Sequence, residues 1–105
     1  MGSDWQPLLW AAKDNKLMIV EQLLEFGADI NEAQPATQAH NKYTALHLAA
    51  MKGLTKMVEL LLSHGADPAL KDKHGNTARQ LAEKKGHKSV LDILDSTGST
   101  DAGKK

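Results

Sequence analysis

One segment of the sequence occurs twice at a fixed spacing, and this repetition constrains the fold more than any other feature. Residues 44–71 begin Thr-Ala-Leu-His-Leu-Ala-Ala and continue through Met-Val-Glu-Leu-Leu-Leu to Gly-Ala-Asp-Pro. A near copy follows 33 residues later, so that Thr44 corresponds to Thr77 and Gly53 to Gly86. Such a period is typical of a solenoid, in which each unit buries its apolar face against neighbouring units. Since solenoids of this kind bind macromolecules over an extended surface, we expect binding and not catalysis.

A more divergent unit precedes these two. Residues 7–12 align with residues 45–50, and the Gly-Ala-Asp at 27–29 aligns with the same three residues at 65–67. The spacing between these units is 38 residues, which places five additional residues in the segment 31–41. Because that segment is polar and has a proline at its centre, we interpret it as a lengthened loop.

Helical spacing of the apolar residues indicates two helices in each unit. In unit two, Val58 and Leu61 belong to an apolar stripe with polar residues between its members. The predicted helices are residues 7–14, 17–26, 45–52, 55–64, 78–85 and 88–95. Gly53 and Gly86 mark the tight turn between paired helices, and Asn15, which tolerates the same left-handed backbone, replaces them in unit one.

The two ends of the chain differ from the middle. Unit three carries polar residues where unit two has mostly apolar ones, as the solvent-facing end of a stack requires: these are Arg79, Gln80, Glu83 and Asp95. Residues 96–105 have no apolar side chain larger than alanine, and we expect this tail to be disordered. At the other end, Trp5, Leu9 and Trp10 fit two alternatives, an imperfect cap or a unit whose upstream neighbour has been cut away.

The composition excludes several classes of function. The 105 residues include 13 basic and 13 acidic side chains and no cysteine, so disulfides and thiolate metal sites are excluded. No apolar run approaches the roughly 20 residues that span a bilayer, and no secretory signal is visible. We therefore expect a cytoplasmic or nuclear protein that is not in a membrane.

The sequence resembles the ankyrin-repeat family over residues 4–95. Unit two carries the most specific motif, with Thr-x-Leu-His-x-Ala-Ala from Thr44, the glycine turn and Gly-Ala-Asp at family spacing. The resemblance implies an all-α ankyrin-repeat solenoid of three helix-turn-helix units with connecting β-hairpin loops. The units would be residues 4–38, 39–71 and 72–95, after an N-terminal extension or expression scar at residues 1–3.

Two departures from the family pattern affect the local structure. Ala45 and Ala78 stand where the family usually has proline, which removes preorganisation of the helix start only. Lys42 stands where the family has the hairpin glycine that Gly75 supplies in unit three. Because a non-glycine residue at positive φ is costly, we expect the lengthened hairpin between units one and two to be remodelled.

The resemblance also implies a partner-binding surface, since ankyrin proteins usually bind with hairpin tips and the exposed side of each first helix. By position, the residues of this surface are Trp5, Lys13, Asp14, His40, Asn41, Tyr43, Met51, Lys52, Lys73, His74, Asn76, Lys84 and Lys85. Because the list is rich in lysine and the second helices carry acids, we expect a basic groove that binds an acidic or phosphorylated protein segment. Trp5, Tyr43 and Met51 would be its apolar anchors. The alternative is that these lysines are merely solvated.

The sequence also fits other functions and a second contact region. The same basic face is an alternative nucleic-acid site, although the chain is neutral overall and Arg79 is its one arginine. The chain is alternatively a structural piece of a longer solenoid. The inserted loop 31–41 is a second candidate contact region, against neutral drift at a tolerant turn. We expect a monomer without cofactor, because the scattered histidines show neither metal-ligand spacing nor a catalytic arrangement.

Asn31 is a candidate modification site. The residues around it resemble the context in which eukaryotic ankyrin repeats are hydroxylated on the hairpin asparagine. The alternative is that Asn31 only satisfies backbone groups of the hairpin.

Overall fold

Six α-helices make up most of the described part of the chain, which comprises residues 7–34 and 41–98 of a computed structural model. The helices are α1 Pro7–Lys13, α2 Leu17–Glu25, α3 Ala45–Lys52, α4 Thr55–Ser63, α5 Ala78–Lys85 and α6 Lys88–Gly98. Five of them match the predicted bounds to within one residue. The sixth continues three residues beyond its predicted end at 95, so residues 96–98 are helical although we assigned them to the tail. No proline or glycine interrupts the backbone hydrogen bonding before Gly98, and the helix propagates to that residue. The rest of the predicted tail lies outside the described residues.

Hydrogen-bonded threonines precede α3 and α5. We call the first helix of each unit, α1, α3 or α5, its inner helix, and the second, α2, α4 or α6, its outer helix. The Thr44 hydroxyl accepts the backbone N–H of His47, and the His47 side chain accepts the backbone N–H of Thr44. Thr77 and Gln80 form the same reciprocal pair at the start of α5. Each capping box satisfies backbone donors that the first turn of a helix leaves unpaired.

A left-handed residue separates the two helices of every unit. Gly53 and Gly86 adopt φ values of 71° and 75°, and Asn15 adopts φ 60° in unit one. The prediction that asparagine replaces glycine in this turn is therefore confirmed.

The helices form two layers that run through the stack. In the first layer α1 contacts α3 and α3 contacts α5, and in the second α2 contacts α4 and α4 contacts α6. The largest fully buried side chains come from every unit: Leu8, Leu9, Leu46, Met57, Leu61, His47, Val20, Val58 and Val90. The core therefore lies between the layers and between successive units, as a solenoid requires.

The expected β-hairpins are not confirmed in the described residues. Ala33 and Thr44 form an isolated antiparallel bridge, beside which the Gln34 N–H donates to the Tyr43 carbonyl at 3.0 Å. Between units two and three, the Asp72 N–H donates to the Asn76 carbonyl at 2.8 Å. The Asp72 carboxylate also accepts the backbone N–H of Asn76, at 2.9 Å. Such a side chain satisfies backbone donors locally and closes a tight turn without a ladder of strands.

Lys42 keeps the backbone conformation of the glycine that it replaces. Its φ is 63°, and the equivalent Gly75 has φ 82°. The expected remodelling of the hairpin therefore does not extend to this residue. Residues 35–40 of the inserted loop 31–41 lie outside the described part of the chain.

An ion pair lies at the C-terminal end of the stack. Nε of Arg79 lies 2.7 Å from Oδ1 of Asp95, and both side chains are exposed. These residues occupy the positions of Leu46 and Leu62 in unit two. Unit three thus presents an ion pair where unit two presents apolar side chains to its neighbour.

Candidate partner-binding surface

The predicted surface residues fall into three groups. Asp14, Lys52, Lys73, His74, Lys84 and Lys85 are exposed. Partly buried are Lys13, Asn41, Tyr43, Met51 and Asn76. Trp5 and His40 lie outside the described residues. The structure thus leaves about half of the predicted surface fully open to a partner.

Positive charge increases along the row where the inner helices end. In unit one, Nζ of Lys13 lies 3.1 Å from Oδ1 of Asp14, so the two charges offset one another. Lys52 ends α3, and Lys84 and Lys85 end α5. Lysines in the last turn also interact favourably with the helix dipole. The lysines at the ends of these helices are therefore concentrated in units two and three.

Successive loop tips are joined by direct hydrogen bonds. The backbone N–H of Lys73 donates to the Asn41 carbonyl at 2.8 Å. The Asn41 side-chain amide donates to the Tyr43 hydroxyl at 3.2 Å. The Tyr43 ring lies 5.9 Å from that of His47, centroid to centroid. The tips of units two and three therefore form one continuous surface.

Buried His47 fixes the position of the next loop. Its Nδ1 accepts the Thr44 N–H at 3.0 Å, and its Nε2 lies 3.1 Å from the Asn76 carbonyl. With Nδ1 accepting, the proton resides on Nε2 and is donated to Asn76. Burial is the largest influence on the pKa of His47 and lowers it below 6.5, while the Asn76 carbonyl and the Asp72 carboxylate act in the opposite direction. The neutral ring thereby holds the predicted contact residue Asn76 in place.

A cleft between successive loops was not predicted from the sequence. It has a volume of about 370 Å³. Its lining residues are Asn31, Ala33, Lys42, Thr44, Ala69, Leu70 and Lys71. Lys42 and Lys71 add two positive charges beside the predicted groove. The sequence carries no signal for this pairing, because Lys42 and Lys71 lie at opposite ends of unit two and line one cleft only in the folded chain.

The Asn31 side chain connects the loops of units one and two. Its Oδ1 accepts the backbone N–H of Asp67 at 2.8 Å, and the backbone N–H of Asn31 donates to the Asp29 carboxylate at 2.9 Å. These contacts give Asn31 the structural role of satisfying hairpin backbone groups. Its hydroxylation stays a prediction.

The second helices carry both signs of charge. The expected acids are exposed on this face: Glu21, Glu25, Glu59, Asp92 and Asp95. Lys56 and Lys88 are exposed on the same helices. The back of the stack is therefore mixed in charge.

The described residues contain no group of three or more His, Asp or Glu side chains placed to hold a metal ion. Among their helices, none combines the length and the apolar composition needed to cross a bilayer.

Relatives of the chain match it over most of its length. The rice (Oryza sativa subsp. japonica) protein named "Probable E3 ubiquitin-protein ligase XBOS34" is 40% identical over 90 residues, which are 85% of this chain and 17% of that protein. Potassium channel AKT1 of Oryza sativa subsp. indica is 36% identical over 76% of this chain and 8% of the channel. The B-cell lymphoma 3 protein homolog of Mus musculus is 35% identical over 91% of this chain and 20% of its own length. The chain thus spans about a fifth or less of each of these three relatives.

The repeat geometry agrees with a comparison against protein families. A family model described as ankyrin repeats, in three copies, matches residues 8–102. The match covers both inner and outer helices of all three units and the turns between them. With its capped inner helices, left-handed turns and stacked units, the chain belongs to the ankyrin-repeat family.

Proposed function

We propose that the chain binds an acidic or phosphorylated segment of a partner protein through its loop tips and the ends of α3 and α5. Ankyrin repeats are in general protein-interaction modules, and the relatives carry similar repeats in a ligase and a channel. Because such different proteins share the repeat region, that region supplies recognition and not a common reaction. The chain would then act as an adaptor, an assembly factor or an inhibitory subunit, without a cofactor.

The observation that carries this proposal is a set of lysines without counter-charges. Among the described residues, no carboxylate forms an ion pair with Lys52, Lys84 or Lys85. Unpaired like charges on one face attract an oppositely charged partner and raise its rate of association. The cleft beside Lys42 and Lys71 extends the same positive surface toward unit one.

Half-buried apolar side chains would supply the affinity that surface charge does not. Tyr43 and Met51 lie beside the lysines, and both are partly accessible. Aromatic and thioether side chains near the centre of an interface commonly dominate its binding energy. Lysines around them would steer the partner and exclude mismatched ones.

Affinity capture with charge-reversed variants tests this proposal. The wild-type chain and a Lys52→Glu, Lys85→Glu variant would be compared with a Lys56→Glu, Lys88→Glu variant, which makes the same charge change on the back. We expect a partner that is retained by the back variant and lost with the groove variant. A partner retained equally by all three would remove the basic groove from the proposal.

Nucleic acid binding on the same face predicts a different result. The one arginine of the chain, Arg79, forms an ion pair with Asp95 at the end of the stack. The proposed groove therefore does not offer the bidentate phosphate contacts that are typical of arginine. Retardation of random-sequence oligonucleotides with a steep dependence on salt would favour this alternative. Absence of retardation at low salt would leave the protein partner as the proposed ligand.

A further inference from the structure

The two ends of the stack have opposite chemistry. At the C-terminal end the outward side chains are polar, and Arg79 pairs with Asp95. At the N-terminal end they are apolar. All the large exposed apolar side chains of the described residues belong to unit one: Trp10, Met18, Ile19 and Phe26. Such a concentration at one end calls for a specific explanation, because scattered exposed apolar residues need none.

Trp10 stands at a position that is buried in the other units. The equivalent residues are Leu48 in unit two and Leu81 in unit three. Trp10 is 39% exposed, whereas Leu48 and Leu81 are 3% and 6% exposed. Each of the two leucines belongs to an inner helix that packs against the inner helix of the preceding unit, since α1 contacts α3 and α3 contacts α5.

Ile19 repeats this pattern on the second helix. Its equivalents are Met57 and Val90. Ile19 is 38% exposed, and both Met57 and Val90 are 0% exposed. Two independent positions, one on each helix of the pair, are therefore open in unit one and buried in units two and three, whose helices contact those of a preceding unit.

We propose that Trp10 and Ile19 form an open stacking face, which receives a further ankyrin helix pair that continues the solenoid before unit one. The occupant is defined by the interfaces already present, since units one and two each cover these positions in the unit that follows them. Met18 and Phe26 are not part of this face. Their equivalents Lys56 and His64 stay exposed although unit two has a preceding neighbour.

An extended chain tests the proposal. In the extended chain, a copy of residues 44–77 replaces residues 1–6 and is joined directly to Pro7. The last threonine of the copy then precedes α1, as Thr44 precedes α3 and Thr77 precedes α5. The matched control replaces residues 1–6 by one threonine, so that Trp10 is the single tryptophan in both proteins. We expect the extension to raise Tm by about 4 °C or more and to protect Trp10 from acrylamide quenching. No rise in Tm, with Trp10 still quenched, would overturn the proposal.

Lysine substitutions at neighbouring positions show whether the gain comes from this face. In the extended chain, Ile19→Lys should abolish most of the rise in Tm, and Met18→Lys should preserve it. In the control chain, both changes should leave Tm within about 2 °C, because both residues are substantially exposed there. Equal effects of the two lysines in the extended chain would contradict the assignment.

The unextended chain of 105 residues gives a second measurement that does not depend on folding of the extended one. It should bind the dye ANS, and Trp10→Lys should abolish this binding without lowering Tm. A large fall in Tm would mean that the chain itself covers the face, with residues 1–6 as the available segment. Concentration-dependent dimerisation that is lost in Ile19→Lys would place a second copy there. Either result would overturn the proposal.

Discussion

The imidazole of His87 lies against Gly53 so closely that a Cβ atom on Gly53 would stand 2.7 Å from its Nδ1. The other ring nitrogen, Nε2, lies 3.0 Å from the Met51 carbonyl and donates to it. Gly53 also ends α3 in the left-handed conformation, with φ 71°. The end of a helix in unit two and the contact with unit three thus require the same absence of a side chain.

We predict that Gly53→Ala destabilises the protein by about 2 kcal/mol. The left-handed backbone costs an alanine about 1 kcal/mol, and displacement of His87 removes a hydrogen bond of similar net value. Gly86→Ala is the matched control, since Gly86 has φ 75° and no atom within 4 Å of the added Cβ. It should cost about 1 kcal/mol, for the backbone alone. Urea unfolding measures both, and equal losses would contradict a role of the His87 contact.

Stability should fall as the pH decreases through 6.5, and His47 should be responsible for part of this fall. The pKa of folded His47 lies below 6.5, chiefly because the ring is buried. The unfolded chain therefore takes up a proton at a pH where the folded chain does not, so acid favours unfolding. Above 6.5 the contribution of His47 to stability is complete.

The test compares the dependence of unfolding free energy on pH between 7.5 and 5.5 for wild type and His47→Gln. The slope should be reduced in His47→Gln. A slope that His47→Gln leaves unaltered would show that the ring titrates alike in the folded and unfolded states.

Asn31→Ala should destabilise the protein by about 1 kcal/mol. The substitution leaves the Asp67 N–H without the side-chain acceptor that now lies 2.8 Å from it. Glu32→Ala is the neighbouring control. Burial is the main cause that raises the pKa of Glu32, and the negative charge of Asp29 is the second, so the folded protein disfavours the ionised carboxylate. It should cost less than Asn31→Ala in the same urea measurement. The reverse order would count against the loop-to-loop hydrogen bond.

Lys42→Gly should stabilise the protein by about 0.5–1 kcal/mol. Lys42 has φ 63°, where glycine has no steric penalty, although greater freedom of the unfolded glycine chain reduces the gain. Gly75→Ala, at the equivalent position with φ 82° and open space around it, should have the opposite sign. A loss of stability in Lys42→Gly would indicate that the lysine side chain contributes more than its backbone costs.

The repeat architecture was predictable because it depends on short patterns of neighbouring residues. Apolar residues at helical spacing, Thr44 and Thr77 before their helices, and Gly53 and Gly86 after them each depend on a few neighbouring residues. The same signals placed five helices to within a residue. The end of α6 was set too early because polar composition alone marked the tail, whereas composition does not end a helix that has no breaker.

The candidate surface was less accessible to sequence analysis because it depends on how units stack. The lysines at the helix ends could be assigned by position. The cleft lined by Lys42 and Lys71 depends on how the loops are arranged, which the sequence does not encode locally, whereas the Lys13–Asp14 pair joins adjacent residues. The β-hairpins expected from the resemblance are replaced in the described residues by one bridge and a turn closed by Asp72, whose carboxylate competes for the backbone donors.

The ion pair between Arg79 and Asp95 has a consequence for copies of this chain. Head-to-tail polymerisation would require the apolar end of one molecule to dock on the charged end of the next. That contact would remove both charges from water without offering them new partners, which is unfavourable. Heterologous contacts that repeat without closing produce fibres. The charged end of the stack therefore disfavours filament growth, while the opposite end retains its apolar side chains.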